Sequence, residues 1–140
     1  MARAQVIATV KASAPRVWEL VGDFGGVAKW LPGVAESRVE GSGLGMVRRL
    51  RLANGATQVE RLEQMNDAQR WYSYSIIEGP LPVTAVYATL RVLPAFGSAS
   101  STVEWWGAFA ADGVPDTDVE RLIRTIFEAG IQNLRHRLEA

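Results

Sequence analysis

The chain has 140 residues, of which 48% are hydrophobic and 21% are charged. This balance excludes an intrinsically disordered chain, and the length predicts one globular domain spanning residues 1–140. Lys plus Arg and Asp plus Glu both number 15, so no net charge attracts the protein to nucleic acid or to an anionic membrane. The absence of cysteine from the sequence excludes disulfides, thiol nucleophiles and thiolate metal sites.

The sequence contains no apolar run approaching the ~18 residues that a membrane span requires. Its N-terminus passes directly into strand-like alternation, without the apolar core of a signal peptide. We therefore expect a cytoplasmic protein, either a monomer or a homodimer. Its expected partner is a small hydrophobic molecule, and we expect neither membrane insertion nor nucleic-acid binding.

The N-terminal part of the chain predicts a strand followed by two short helices. Residues from Gln5 to Lys11 alternate in the way of a strand, and Ser13-Ala14-Pro15 then opens a helix. Gly25-Gly26 is expected to end this helix. The break at Pro32-Gly33 limits the next helix to a short turn from Val27 to Trp30.

The middle of the chain predicts an antiparallel meander. Turn-forming residues recur along it, and Asn54-Gly55 is the strongest hairpin signal among them. These turns separate about six strand candidates. The candidates are Ala35–Glu40, Gly45–Leu52, Thr57–Gln64, Arg70–Glu78, Thr84–Leu93 and Thr102–Ala110.

The last quarter of the chain predicts one long amphipathic helix. Apolar residues follow a helical period from Asp116 to Leu138, and Thr117 with Glu120 has the spacing of a capping box. A helix of this length reaches about 33 Å, enough to cover a whole small sheet. We therefore predict an α+β helix-grip fold, in which a curved antiparallel sheet of about seven strands wraps around the C-terminal helix.

Several segments also resemble a known group of proteins. They are Asp23-Phe24, Lys29 to Gly33, Glu60-Arg61-Leu62, Tyr74 to Val83, Trp105 and Phe109. They resemble the START-like, birch-pollen-allergen-like superfamily (SRPBCC), and within it the bacterial polyketide cyclase/dehydrase and lipid-transport-type proteins. This resemblance implies the helix-grip fold and a cavity for a hydrophobic ligand between the sheet and the C-terminal helix.

Plant abscisic acid receptors are more distant members of the same superfamily. Their pocket pattern falls here on Lys29, Glu60, Tyr74, Tyr87, Thr89, Trp105, Phe127 and Ile131. The gate sequence of the receptors is absent from the hairpin Leu52 to Ala56, and Pro80-Leu81-Pro82 replaces their latch. The resemblance therefore does not imply hormone sensing.

We expect the cavity to be lined by aromatic and polar side chains. Rings with hydroxyl or indole groups suit a pocket that is apolar and still orients its ligand, and ordinary core packing is the alternative. On one strand Tyr87 and Thr89 share a face with Arg91, and we assign this polar face to the interior. The predicted ligand-binding residues are Trp30, Glu60, Tyr72, Tyr74, Leu81, Tyr87, Thr89, Arg91, Trp105, Phe109, Phe127, Gly130 and Ile131.

Two charged residues are among those assigned to the cavity. Glu60 would need a partner there, and Arg91 would suit an anionic head group, with a solvent-facing strand position as the alternative for both. Arg48, Arg49 and Arg51 are interpreted as a solvated basic strand. The single histidine lies in the last turn of the predicted helix, where a cation favours the helix end. No motif indicates a catalytic residue, a metal site or a cofactor.

Three functional hypotheses fit this sequence. The first is a carrier or sensor that binds a lipid, a polyketide or an aromatic metabolite by burial and needs only the pocket. The second is a cyclase or dehydratase that uses Tyr, Glu or Arg for acid-base chemistry without a metal or nucleotide cofactor. The third is an interaction or co-chaperone module with a collapsed cavity. The lack of His, Cys and metal ligands near the predicted pocket favours binding over catalysis.

Three local expectations concern the cavity itself. Its volume is expected to be roughly 300–1,000 Å³, the usual range for ligand sites. The loop Glu78 to Pro82 is expected to be a lid that presents Leu81 to the ligand, because its two prolines cannot donate to the sheet. Gly130 lies on the apolar stripe of the long helix, which indicates that either the ligand or close packing lies against it.

Overall fold

The computed structural model describes residues 1–95, 97 and 99–139. Seven strands form one sheet, and they are β1 (Ala2–Val10), β2 (Val34–Glu40), β3 (Val47–Leu52), β4 (Thr57–Asn66), β5 (Trp71–Glu78), β6 (Val83–Pro94) and β7 (Ser101–Ala111). The described helices are α1 (Ala14–Val21), a 3₁₀ helix (Phe24–Lys29) and α2 (Asp116–Leu138).

The sheet is antiparallel throughout, with the strand order β1-β7-β6-β5-β4-β3-β2. Helix α2 crosses its concave face and buries the apolar stripe of Val119, Ile123, Phe127, Ile131 and Leu134. The predicted helix-grip fold is therefore confirmed. The strand and helix periods of the sequence explain this success, because one face of each element had to be buried.

Irregular pairing bends the sheet around α2. Register shifts occur in β2 at Val34, in β4 between Leu62 and Gln64, and in β6 between Thr84 and Tyr87. The last of these contains Ala85 with φ of 53°, a left-handed conformation that is uncommon for a residue other than glycine. Bulges of this kind increase the local twist and let a sheet curl around a helix.

Helix α1 begins as predicted and ends earlier than predicted. The Ser13 hydroxyl accepts a hydrogen bond from the backbone N–H of Arg16 at 3.4 Å. The helix ends when the Gly22 N–H donates to the Trp18 carbonyl and Asp23 takes an extended conformation. The expectation that Gly25-Gly26 ends this helix is wrong, because both glycines lie inside the 3₁₀ helix.

The N-terminus of α2 lacks the predicted capping box. Pro115 is the N-cap residue, and no side chain caps this helix end. The Glu120 carboxylate instead accepts the backbone N–H of Arg3 at 2.8 Å. At the other end Glu139 accepts the N–H of Lys11 at 2.8 Å. These two bonds fix the helix along the edge strand β1.

Among the described residues, no helix has both the length and the apolar character that crossing a membrane requires.

Candidate functional site

A cavity of about 170 Å³ lies between α2, the β3–β5 side of the sheet and the segment that leads into β2. Its walls are mainly apolar. The helix contributes Ile123, Ile126 and Phe127, and the strands contribute Leu50, Leu52, Ile76 and Trp105. The segment Leu31 to Val34 and the side chain of Leu81 complete the rim, where partial exposure marks the way to solvent. Leu81 thus lies where the predicted lid placed it.

The polar part of the wall consists of Gln58, Glu60 and Tyr74. The Gln58 amide donates to Glu60 Oε2 at 2.6 Å, so the carboxylate is held from the strand that carries it. The indole N–H of Trp105 donates to the Tyr74 hydroxyl at 3.1 Å. These bonds fix the orientation of the polar groups at the cavity wall, as a binding site for a specific ligand requires.

Arg48 is the buried partner of Glu60. The two residues face each other in the register of β3 and β4, and the guanidinium donates to Glu60 Oε1 from Nε at 2.8 Å and from Nη2 at 2.6 Å. Its Nη1 donates to the Phe24 carbonyl at 2.9 Å. The guanidinium also lies over the Phe24 ring, 4.0 Å from its centroid. Only 2% of Arg48 is exposed, so this ion pair belongs to the core.

Burial and charge together set the protonation of these groups. Burial lowers the pKa of Arg48, but the charge of Glu60 and the adjacent tyrosines raise it more, and the guanidinium stays charged. Burial raises the pKa of Tyr72, with Arg48 opposing the change. Burial also raises the pKa of Tyr74, and the Glu60 charge adds to that increase. Both phenols therefore keep their protons and act as hydrogen-bond donors or acceptors rather than as bases.

The cavity is smaller than predicted because aromatic rings fill part of the concave face. Trp105 stacks on Phe127 with ring centroids 4.1 Å apart and an interplanar angle of 13°. Trp30 packs against the other side of this region, 5.4 Å from Trp105. The expected volume of roughly 300–1,000 Å³ is therefore wrong, since the cavity measures about 170 Å³.

Five of the predicted ligand-binding residues line this cavity: Glu60, Tyr74, Leu81, Trp105 and Phe127. Five others are buried beside it without being part of its lining. They are Trp30, Tyr72, Phe109, Gly130 and Ile131. Tyr72 packs edge-on against Phe24 near the ion pair, and Ile131 lies toward β1. For these five, core packing describes their place in the structure better than ligand contact.

The remaining three predicted residues lie on the opposite face of the sheet. Tyr87 is 43% exposed, Thr89 bonds to the Ser73 hydroxyl at 2.8 Å, and Arg91 donates to Glu104 at 2.6 Å. The grouping of these residues on one face is right, and the assignment of that face to the interior is wrong. The alternating residues Val86, Ala88, Leu90 and Val92 are buried instead, because burying the apolar face releases more water-exposed hydrocarbon at no cost in charge desolvation.

The interpretation of Arg48 as part of a solvated basic strand is also wrong. Arg49 and Arg51 do face solvent and pair with Glu40 and Glu36. Strand parity carried the signal for Arg48, since it shares a face with Leu50, which is buried. Sequence reasoning also missed Gln58 and the aliphatic side chains of the rim, whose approach depends on how the strands pair.

Gly130 marks close packing rather than space for a ligand. A Cβ at this position would lie 3.0 Å from Leu31 Cδ1, 3.0 Å from Trp105 Cζ3 and 3.2 Å from Trp30 Cζ3. The two tryptophan rings have little freedom to move, because Trp105 is stacked on Phe127 and bonded to Tyr74. Glycine thus lets α2 approach these rings.

We expect Gly130→Ala to lower the free energy of unfolding by about 1 kcal/mol, because overpacking outweighs the gain in helix propensity. The measurement is chemical denaturation of both proteins. The matched control is Ala129→Gly at the exposed neighbouring position, which should cost about 1 kcal/mol through helix propensity alone. Equal or higher stability of Gly130→Ala would show that the rings can move aside.

Among the described residues, no group of three or more His, Asp or Glu side chains is placed to hold a metal ion. His136 is exposed in the last turn of α2, away from the cavity.

Comparison with known proteins identifies the family of this fold. The family model described as "Polyketide cyclase / dehydrase and lipid transport" matches residues 1–139. Among solved structures, the protein XoxI from Bacillus cereus is 35% identical, with a TM-score of 0.94 over 99% of this chain and 96% of that chain. No curated protein matches the sequence significantly.

Two more distant structures share the fold. The di-domain ARO/CYC BexL from the BE-7585A biosynthetic pathway is 22% identical, with a TM-score of 0.83 over 97% of this chain and 46% of that chain. A START superfamily protein from Mycobacterium smegmatis is 17% identical, with a TM-score of 0.82 over 98% of this chain and 97% of that chain. The family match along nearly the whole chain and the shared helix-grip architecture lead to one conclusion: the chain belongs to the polyketide cyclase/dehydrase and lipid transport family of the START-like superfamily.

Proposed function

We propose that the protein binds a small hydrophobic molecule in the cavity beneath Leu81, as a carrier or a sensor. The observation that carries this proposal is the composition of the cavity wall, in which aliphatic and aromatic side chains surround three fixed polar groups. Ligand sites generally combine an apolar lining with a few well-placed polar groups that orient the ligand. The family description, which includes lipid transport, agrees with this proposal.

The cavity volume limits the ligand to a small group. A dry cavity of about 150 Å³ can hold benzene, so the 170 Å³ here suits one aromatic ring or a short acyl chain. A larger molecule would have to displace the rim. Leu31, Val34 and Leu81 are only half-buried there, which makes them the side chains that can move for a larger ligand.

The hydrogen bonds of the polar groups favour binding over acid-base catalysis. Glu60 accepts bonds from Arg48 and Gln58 on both of its oxygens, and this stabilises the carboxylate against taking a proton. The raised pKa of Tyr74, caused first by burial, keeps its phenol from acting as a base near neutral pH. A fixed set of polar contacts in an apolar cavity is what recognition alone requires.

A cyclase or dehydratase is the second candidate function. It is favoured by the position of the Tyr74 hydroxyl, a protonated group at the wall of an apolar cavity, where it can polarise a carbonyl. The family description and the ARO/CYC relative are consistent with such an activity.

The test is native mass spectrometry of the protein purified from its own cells, combined with titration of toluene monitored by protein NMR. A co-purified apolar molecule, or saturable shifts in the resonances of Leu81 and Trp105, would support binding. Return of the extracted molecule unchanged after incubation supports a carrier, whereas loss of one water from it supports the dehydratase. Absence of both a co-purified molecule and toluene binding would overturn the proposal.

We expect Leu81→Asp to weaken toluene binding about tenfold, because a leucine contact is worth about 1.5 kcal/mol and the new carboxylate would be desolvated by the ligand. Unfolding stability should change little, since Leu81 is only half-buried in a loop. The matched control is Leu44→Asp, which changes a leucine that is 64% exposed and outside the cavity lining. Unchanged toluene affinity in Leu81→Asp would show that this loop is no lid.

A further inference from the structure

The polar groups of the cavity have unused hydrogen-bonding capacity of a particular kind, and the inference drawn from it rests on the function proposed above. A carboxylate has about four lone-pair positions. Glu60 Oε1 accepts two bonds from Arg48, whereas Oε2 accepts one from Gln58. One acceptor position therefore remains on Oε2, on a side chain that lines the cavity.

Arg48 offers nothing comparable to a ligand. Its guanidinium is directed to Glu60 and to the Phe24 carbonyl, and it is covered by the Phe24 ring. Among the described residues, Arg48 is not part of the cavity lining, whereas Glu60 is. An anionic ligand would therefore meet the carboxylate of the ion pair and not its cation, which is unfavourable in an apolar cavity.

Tyr74 provides the complementary donor. An indole N–H can only donate, so the Tyr74 oxygen is the acceptor in its bond with Trp105 and its own proton remains available. Tyr74 lines the same cavity as Glu60, one strand away. The cavity wall thus presents an acceptor and a donor within one patch.

We propose that the ligand of this cavity carries a neutral hydroxyl group, a phenol or an alcohol, that donates to Glu60 and accepts from Tyr74. A hydroxyl is the small group that makes both bonds with one oxygen. Fatty acids and other carboxylates, which can only accept, are excluded from this end of the cavity by the same arrangement.

Two pairs of ring-sized probes test the proposal by NMR titration. Phenol and toluene have the same number of heavy atoms and differ in the hydroxyl, and benzamide and benzoate are isosteric and differ in charge. We expect phenol to bind roughly five- to tenfold more tightly than toluene and benzamide to bind more tightly than benzoate. Equal or tighter binding of toluene, or tighter binding of benzoate, overturns the hydroxyl proposal but leaves ligand binding intact. Failure of all four probes overturns the proposed function itself.

Variants connect the preference to the named residues. Glu60→Gln leaves Arg48 without its charged partner and is expected to reverse the order of benzamide and benzoate. Because this variant may be impaired in folding, a double variant, Arg48→Met with Glu60→Leu, replaces the pair with apolar side chains of similar size. It should bind toluene about as the original protein does and phenol more weakly than toluene. Persistence of the phenol preference in the folded double variant would overturn the assignment of Glu60 as its acceptor.

Discussion

Replacing Arg48 by alanine is expected to lower the free energy of unfolding by about 3–5 kcal/mol, because it leaves the Glu60 carboxylate buried without its partner. The loss includes the bond to the Phe24 carbonyl and the contact with the Phe24 ring. The measurement is urea denaturation. Arg49→Ala on the same strand is the matched control, since the exposed pair Arg49–Glu40 should contribute at most about 1 kcal/mol.

The double variant Arg48→Met with Glu60→Leu separates the cost of an unpaired charge from the value of the pair. Well-packed apolar side chains often replace a buried ion pair with little or no loss of stability. We therefore expect the double variant to be more stable than Arg48→Ala. If Arg48→Ala is no less stable than Arg49→Ala, the buried ion pair contributes nothing measurable to this fold.

Phe127→Ala is expected to cost about 3–5 kcal/mol of stability and to enlarge the ligand cavity. Phe127 is 5% exposed, lines the cavity and stacks on Trp105, so its removal opens space toward the centre of the concave face. We expect the variant to bind naphthalene, a two-ring probe that the original cavity is too small to admit. Thermal denaturation and NMR titration measure the two effects.

Leu122→Ala is the control for this prediction, because Leu122 lies on the same helix and is 39% exposed. It should change stability by less than about 1 kcal/mol, since less apolar area is lost, and leave probe selectivity unchanged. Naphthalene binding to the original protein with the same affinity would contradict the size limit. A folded Phe127→Ala variant that binds toluene but not naphthalene would show that the cavity collapses when the ring is removed.

Much of the candidate site lay within reach of local sequence patterns. Tyr74, Trp105 and Phe127 were predicted because aromatic residues on the buried stripes of strands and helix must meet where these elements pack. Leu81 was predicted from the two prolines beside it, which keep the loop out of the sheet. Arg48 was misplaced because charge was weighed above strand parity, although Leu50, two residues away, pointed to the interior.

The sequence by itself determined the elements and the fold, because the alternation of the strands and the helical period of Asp116 to Leu138 each define one face that must leave water. Only the tertiary structure decided which charges are buried and how much space remains. The pairing of Arg48 with Glu60 depends on the register between two strands. The cavity volume depends on how Trp105 and Phe127 stack across sheet and helix. Such contacts join residues distant in sequence, and local periodicity contains no information about them.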